Sequence, residues 1–211
     1  REYAFLADRV REHGAEVVLV DAGIVGEPLA TPDVTREEVA AAVGAEGGLD
    51  GPVETSRPLV VGDPAFDPAL RPRLQPLPGS RLEAECVAGL LGAPDPLIGA
   101  AATEAAVAAR LEDCSVMHIS SHGHLDELSP FSSSLVMAGA DELTVAELVG
   151  RRFGTSLAVL TGCDTGRGNA TLGGDVVGLT RSLLRGGVRR VVVSLWPVDD
   201  WVAPVVMAGF Y

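Results

Sequence analysis

Residues 114–123 read "CSVMHISSHG", an apolar run that ends in two serines and a histidine-glycine pair. A second apolar run, "SLAVLTGC", covers residues 156–163 and ends in glycine and cysteine. Short runs of this kind are typical of strands that are buried on both faces of a parallel sheet. Ligands of such sheets bind at the edge where the strands reach their carboxyl ends. If the two strands are adjacent, His122 and Cys163 therefore come together at that edge.

Strands and helices alternate around these two runs. Apolar periodicity predicts further strands at 58–64, 133–139 and 188–198, and helices at 79–92, 103–111, 144–153 and 174–187. Ser80 and Glu83 have the spacing of a capping box at the start of the first helix. Such alternation, with strands that are almost wholly apolar, predicts an α/β fold: a three-layer sandwich with a mostly parallel central sheet.

The organisation of the chain changes at a glycine- and proline-bearing segment, residues 48–57, which we interpret as a linker. Residues 1–47 predict a partial α/β segment, and residues 58–211 predict the main domain. The chain begins with Arg1 rather than methionine and ends at Tyr211 within an apolar run. Both features favour a fragment of a longer protein, with the main domain truncated at its carboxyl terminus.

Composition and charge narrow the classes of partner. The 211 residues carry a formal net charge of −13, which repels phosphate backbones and argues against nucleic acid as a ligand. Apolar runs are too short to span a bilayer, so no membrane insertion is expected. The three cysteines form no CxxC pair, which argues against a disulfide framework and favours a cytoplasmic location.

Cys163 and His122 are the residue types needed for nucleophilic catalysis. An ordinary thiol is mostly protonated at neutral pH, and a nearby imidazole makes it a ready nucleophile. The alternative for Cys163 alone is a small buried hydrophobe at the end of a strand. Cys86 and Cys114 have core-like neighbours in the sequence, so iodoacetamide is expected to modify Cys163 fastest.

The cluster "HGHLDE" at residues 122–127 also permits a metal-site interpretation. His122, His124 and Asp126 overlap the HxHxDH signature of metallo-β-lactamase-like hydrolases, which makes a zinc-dependent hydrolase a minor alternative. However, Glu127 stands at the last position, and no histidine follows residue 124 to complete the ligand set. We therefore predict no metal and no cofactor, with His118 packed within its strand and His124 facing solvent.

From about residue 58 to 211, the motifs "HISSHGHLD", "LAVLTGCDTGRG" and "GGDVVGLTRSLLRGGVRRVVVSLWPVDD" resemble the CHAT family of caspase-like cysteine peptidases, which are related to caspases and separase. The resemblance implies a caspase-hemoglobinase-like fold and a cysteine endopeptidase with His122 and Cys163 as its dyad. It also implies an oxyanion hole made by the backbone N–H groups of Gly123 and Cys163. The alternative within this family is a catalytically inactive, caspase-like interaction module.

The same resemblance implies where a peptide substrate would bind. Residues 191–200 are similar to the segment that pairs with the extended substrate in caspase-like enzymes, which makes Ser194 and Trp196 candidate contacts. Asp164, Asp199 and Asp200 would make the pocket anionic, so a basic or neutral residue is expected before the scissile bond. The alternative for these carboxylates is helix capping at the surface.

Two further expectations concern regulation and the amino terminus. CHAT domains are often joined to helical-repeat or other sensors, so a regulatory domain or partner protein is expected. Residues 1–47 resemble the start of the virus-resistance-like ATP-binding family, but the chain has no GxxxxGK[ST] phosphate-binding loop. We therefore expect no ATP binding by this segment.

Overall fold

The computed structural model describes residues 17–21, 53–124, 126, 129–161, 176–194 and 199–211. In this part of the chain the central sheet has six strands: β1 (Val17–Asp21), β2 (Pro58–Pro64), β3 (Leu97–Gly99), β4 (Val116–Ser120), β8 (Leu157–Thr161) and β9 (Arg190–Ser194). Their spatial order is β1-β9-β8-β4-β2-β3. The five strands from β9 to β3 are parallel to one another, and β1 joins β9 in antiparallel orientation.

A small antiparallel sheet continues the chain beyond β4. It contains β5 (Gly123–His124), β6 (Ser134–Val136) and β7 (Glu142–Thr144), with a short 3-10 turn over Pro130–Ser132. The backbone N–H of Val136 donates to the His122 carbonyl at 2.9 Å, so this sheet begins directly after the end of β4. The small sheet therefore fixes the chain on the carboxyl side of His122.

Helices cover both faces of the central sheet. They are α1 (Pro78–Leu91), α2 (Glu104–Ala108), α3 (Val145–Leu148), α4 (Val176–Gly186) and α5 (Ala203–Phe210). Alternate residues of β2, β4, β8 and β9 enter opposite cores, because successive side chains of a strand point to opposite faces. One core contains Met117 and Ile119 of β4 with residues of α2, α3 and α4, whereas the other contains Val116 with residues of α1 and α5.

This arrangement confirms the predicted α/β fold with a mostly parallel central sheet. All five residues of β4 and all five of β8 are buried, which is the property that their unbroken apolar runs indicate. Within the described ranges, no helix has both the length and the apolar character needed to cross a membrane.

The amino-terminal segment contributes one described strand. Residues 17–21 pair with β9 along its whole length, from Val17 opposite Ser194 to Asp21 opposite Arg190. This strand of the predicted α/β segment lies at the edge of the central sheet. The other residues of segment 1–47 and the first half of the predicted linker, residues 48–52, fall outside the described residues, so the boundary at 48–57 stays a prediction.

One predicted helix cap is wrong, and a capping box forms at another helix. The capping box predicted from Ser80 and Glu83 is wrong, because α1 already begins at Pro78 and has no side-chain cap at Leu77. A capping box does form at α3, where the Thr144 hydroxyl and the Glu147 side chain bond each other's backbone N–H groups. Ser80 and Glu83 form hydrogen bonds with strands of the central sheet instead, because the side of α1 that carries them faces the sheet.

Candidate active site

The candidate site lies at the carboxyl ends of β4 and β8. Ser120 and Thr161 are partners in the parallel register of these strands, and the Ser121 N–H donates to the Thr161 carbonyl at 3.1 Å. His122 lies two residues after the end of β4. In the sequence, Cys163 likewise lies two residues after the end of β8. Cys163, together with Asp164 and Trp196, lies outside the described residues.

His122 is held by a backbone carbonyl and an aromatic ring. Its Nε2 lies 2.7 Å from the Gln75 carbonyl oxygen, and the imidazole is only 2% exposed. Because a carbonyl can only accept, this bond requires the proton on Nε2 and leaves the lone pair of the neutral ring on Nδ1. The Phe66 ring packs edge-on against the imidazole, with 5.7 Å between ring centroids. The orientation of the ring thus makes Nδ1 the basic atom.

The backbone N–H of Gly123, a candidate for the oxyanion hole, is not used by the pairing of β5 with β6. Gly123 is opposite Leu135 in the β5·β6 pair, and the Val136 N–H bonds the His122 carbonyl on one side of it. In an antiparallel pair this pattern marks Gly123 as a non-hydrogen-bonded position, so its N–H points away from β6. The Gly123 N–H can therefore bond a group on the side away from β6.

A buried glutamate that the sequence analysis did not assign to the site bridges the two strand ends. Glu83 of α1 has no exposed surface, and its Oε2 accepts from the Ser120 hydroxyl at 3.2 Å. Its Oε1 accepts from the Thr161 hydroxyl and lies 3.0 Å from His118 Nε2. The sequence did hold one sign of this role. Glu83 lies on the apolar face of α1, next to Ala84 and four residues before Val87.

His118 extends this polar cluster toward the carboxyl terminus. It is fully buried within β4, as predicted, and its Nδ1 lies 3.2 Å from the Tyr211 hydroxyl. Its partners are distant in sequence rather than local. Burial, and then the charge of Glu83, raise the pKa of Tyr211 well above its ordinary value, so the phenol is neutral.

The two aspartates that follow β9 have different partners. The Asp200 carboxylate accepts the backbone N–H groups of Gly79 at 2.6 Å and Ser80 at 2.9 Å, and so caps the first turn of α1. Asp199 is exposed and accepts the Trp201 N–H at 2.9 Å. The capping alternative thus describes Asp200, although the helix that it caps lies about 120 residues earlier in the chain.

Ser194 ends β9, and its backbone pairs with Val17 of β1. Between Val191 and Val193, β9 is paired with β8 on one side and β1 on the other. An extended substrate could therefore add to this segment only beyond Ser194, where residues 195–198 lie outside the described residues. The substrate-binding roles of Ser194 and Trp196 stay predictions.

The metal-site alternative gains no support from the described residues. His124 is exposed on β5, and the Asp126 carboxylate accepts the Ser129 N–H at 2.9 Å. In the described ranges, no group of three histidine, cysteine or acidic side chains has a spacing that could hold a metal ion. Glu127 falls outside those ranges.

The remaining cysteines differ from one another. Cys86 is exposed on α1, so the prediction that it has core-like surroundings is wrong. The reason is the helical phase, since the residues of α1 that face the core next to it are Val87 and Ala88. Cys114 is buried as expected, with its Sγ 3.3 Å from the Thr155 hydroxyl, and burial raises its pKa.

Comparisons with known proteins agree with this architecture. A family model described as the CHAT domain matches residues 25–211. Two curated relatives are both named tetratricopeptide repeat protein 28, and they are 28% identical in Mus musculus and 27% identical in Homo sapiens, each over 196 residues. Each match covers 74% of this chain but 8% of the relative. The chain thus spans only a small part of the length of these proteins.

Proposed function

This chain belongs to the CHAT domain family, and we propose that it is a cysteine endopeptidase of the caspase-like type with His122 and Cys163 as its dyad. The observation that carries the proposal is the placement of His122 at the end of β4, with Nε2 bonded to the Gln75 carbonyl. Cys163 follows the neighbouring strand by two residues, and two residues of chain span at most about 7 Å. This short offset from the neighbouring strand supports Cys163 as the thiol that pairs with Nδ1 of His122.

The reaction follows from these groups. Nδ1 of His122 accepts the thiol proton of Cys163, and the sulfur forms a bond to the carbonyl carbon of the substrate peptide. The N–H groups of Gly123 and Cys163 stabilise the resulting oxyanion. When the C–N bond breaks, His122 gives its proton to the leaving amine. A water molecule then attacks the thioester and loses a proton to His122, which releases the carboxylic acid and restores the thiol.

Labelling with a thiol-directed peptidyl electrophile tests the dyad. We expect Cys163→Ala to abolish labelling and His122→Ala to slow it by about 10²-fold or more, because general base assistance is lost. Cys86→Ser is the matched control, since it removes an exposed thiol on α1 and should leave the rate unchanged. In a Cys86→Ser background, labelling that survives in Cys163→Ala, or that is as fast in His122→Ala as in its parent, would contradict the peptidase and favour the inactive interaction module.

The proposed substrate is a peptide with a basic or neutral residue before the scissile bond. The acidic side chains Asp164, Asp199 and Asp200 follow the strands that carry the site, and they would repel an aspartate. Asp199 is the exposed member of the last pair. A fluorogenic peptide panel on the full-length protein checks this preference, and faster cleavage after Asp than after Arg or Lys would overturn it.

We further propose that a helical-repeat segment or partner regulates the site. The support is that this chain matches only 8% of relatives whose name specifies tetratricopeptide repeats. A comparison of peptide cleavage by the full-length protein and by residues 1–211, which keep β1 in the central sheet, would test this proposal. Equal rates in the two forms, under all conditions tried, would count against regulation by the rest of the chain.

A further inference from the structure

We propose that Glu83 is a positioning residue that holds the dyad in register, an inference that rests on the proposed peptidase function. Glu83 lies on α1, has no exposed surface and bonds hydroxyl groups on two adjacent strands. Those hydroxyls belong to Ser120 and Thr161, which each precede a dyad residue by two positions. One carboxylate therefore spans the two strand ends from which the catalytic side chains depart.

The hydrogen bonds from Ser120 and Thr161 to Glu83, here called the Glu83 bridge, support a role beyond stability. Transfer of a carboxylate from water into a protein interior is strongly unfavourable unless hydrogen bonds compensate for the lost hydration. Here Oε2 accepts the Ser120 hydroxyl, and Oε1 accepts the Thr161 hydroxyl and lies 3.0 Å from His118 Nε2. Bonds to an ionised acceptor in a dry site are shorter and stronger than neutral ones. A charged bridge thus holds the offset between β4 and β8 more rigidly than neutral hydroxyl groups would.

The helix that carries Glu83 is itself tied to the same edge of the sheet. The Ser80 hydroxyl donates to the Ser120 carbonyl at 2.7 Å and accepts the Asp63 N–H at 2.8 Å. The Asp200 carboxylate caps the first turn of α1. These bonds connect the start of α1 to the ends of β2 and β4, so Glu83 cannot move independently of the strands that it bridges.

Loss of the bridge should affect the chemical step more than substrate binding. A displacement of about 1 Å between reacting groups can cost about 10²-fold in rate. Thr161→Val keeps the shape of the side chain but removes the hydroxyl that donates to Glu83. Thr155→Val is the matched control, because Thr155 is equally buried and precedes the opposite end of β8, where its hydroxyl donates to the Cys114 carbonyl at 3.0 Å.

The experiment measures kcat, KM and Tm for the full-length protein and its variants. We expect Thr161→Val and Glu83→Gln to lower kcat by about 10- to 100-fold with little change in KM. Thr155→Val also removes a buried hydroxyl bond and should lower Tm, but it should leave kcat within about twofold of wild type. Thr161→Ser, which retains the hydroxyl, should restore kcat. Equal losses of kcat in Thr161→Val and Thr155→Val would overturn the positioning role.

A second measurement separates this inference from the peptidase itself. Alkylation of Cys163 by iodoacetamide in a Cys86→Ser background reports on the dyad without any peptide cleavage. If Thr161→Val and Glu83→Gln slow this alkylation while wild type cleaves no peptide, the proposed peptidase fails and the positioning of the thiol by Glu83 is supported. If alkylation is unchanged in both variants, the positioning role is wrong whether or not peptides are cleaved.

Discussion

The two ends of the β4–β8 pair are closed by different chemistry. At the amino end, the Thr155 hydroxyl donates to the Cys114 carbonyl at 3.0 Å, and the Ser156 hydroxyl donates to the Ser115 carbonyl at 2.9 Å. These bonds are neutral and join residues that immediately precede the two strands. At the carboxyl end, a buried carboxylate from α1 joins Ser120 and Thr161 instead.

This difference separates a structural end of the sheet from the candidate functional end. Neutral hydroxyl-to-carbonyl bonds satisfy buried groups without the desolvation of a charge. A buried glutamate requires several hydrogen bonds to compensate for its lost hydration, and removal of any one of them destabilises the fold. The same α1 also needs a cap from Asp200, which is distant in sequence. The carboxyl end of the β4–β8 pair thus needs more compensating interactions than the amino end does. It is also the end that leads to His122.

The largest expected effect comes from a substitution that disturbs only the carboxyl end. Gly62 of β2 pairs with Ser120, and a Cβ added to it would lie 2.4 Å from Ala84 Cβ and 2.7 Å from the Ser80 carbonyl oxygen. Because both neighbours belong to the backbone-fixed inner face of α1, Gly62→Ala should push this helix from the sheet. We expect a loss of about 3 kcal/mol in the free energy of unfolding, measured by urea denaturation.

Gly154→Ala is the control at the amino end. A Cβ at Gly154 would meet its nearest atom, the Glu112 carbonyl oxygen, at an ordinary 3.5 Å. This variant should remain within about 0.5 kcal/mol of wild type. If the two alanine variants lose the same stability, the close contact between α1 and β2 is not what distinguishes the two ends.

A smaller effect is expected when the charge of the helix cap is removed. Asp200→Asn keeps the size of the side chain but replaces one of the two carboxylate oxygens that bond the Gly79 and Ser80 N–H groups. We expect a loss of about 1 kcal/mol, since both a hydrogen bond and an interaction with the helix dipole weaken. The measurement is the free energy of unfolding at neutral pH.

Asp199→Asn is the neighbouring comparison. Asp199 is exposed, and in the described contacts its carboxylate accepts only the local Trp201 N–H, so its variant should change stability by less than about 0.5 kcal/mol. Should Asp199→Asn destabilise the protein as much as Asp200→Asn, general surface charge rather than the capping of α1 would explain the loss.

The smallest expected effect concerns the far side of the buried cluster. The pKa of Tyr211 is higher in the folded chain than in the unfolded one, so its contribution to stability is complete below pH 10 and is lost as the pH rises above that value. Ionisation of Tyr211 in the unfolded chain lowers the free energy of unfolding by about 0.4 kcal/mol at pH 10. Above pH 10 this loss grows by up to about 1.4 kcal/mol for each further pH unit. Tyr211→Phe should remove this part of the alkaline decline.

The readout is the difference between wild type and Tyr211→Phe across pH 8 to 11. Loss of the hydroxyl beside His118 changes the free energy of unfolding by the same amount at every pH. The ionisation of Tyr211 instead changes how steeply that free energy falls with pH. Curves that stay parallel over this range would show that the phenol ionises equally in the folded and unfolded states.

Much of the fold could be predicted from local patterns. The runs at 114–123 and 156–163 are almost wholly apolar, and only strands covered on both faces suit such runs. Their alternation with amphipathic helices gave the α/β class, and the polar residues after each run gave the edge at which His122 lies. These inferences succeed because burial and periodicity are properties of a few consecutive residues.

The tertiary structure alone decided which groups surround that edge. The bond from Asp200 to Gly79 spans 121 residues, and the bond from Thr161 to Glu83 spans 78. The spacing of Ser80 and Glu83 suggested a local capping box, but the packing of α1 on the sheet turned both side chains toward distant strands. A local pattern reveals which side of an element is buried, whereas only the packing of whole elements determines what each buried polar group meets.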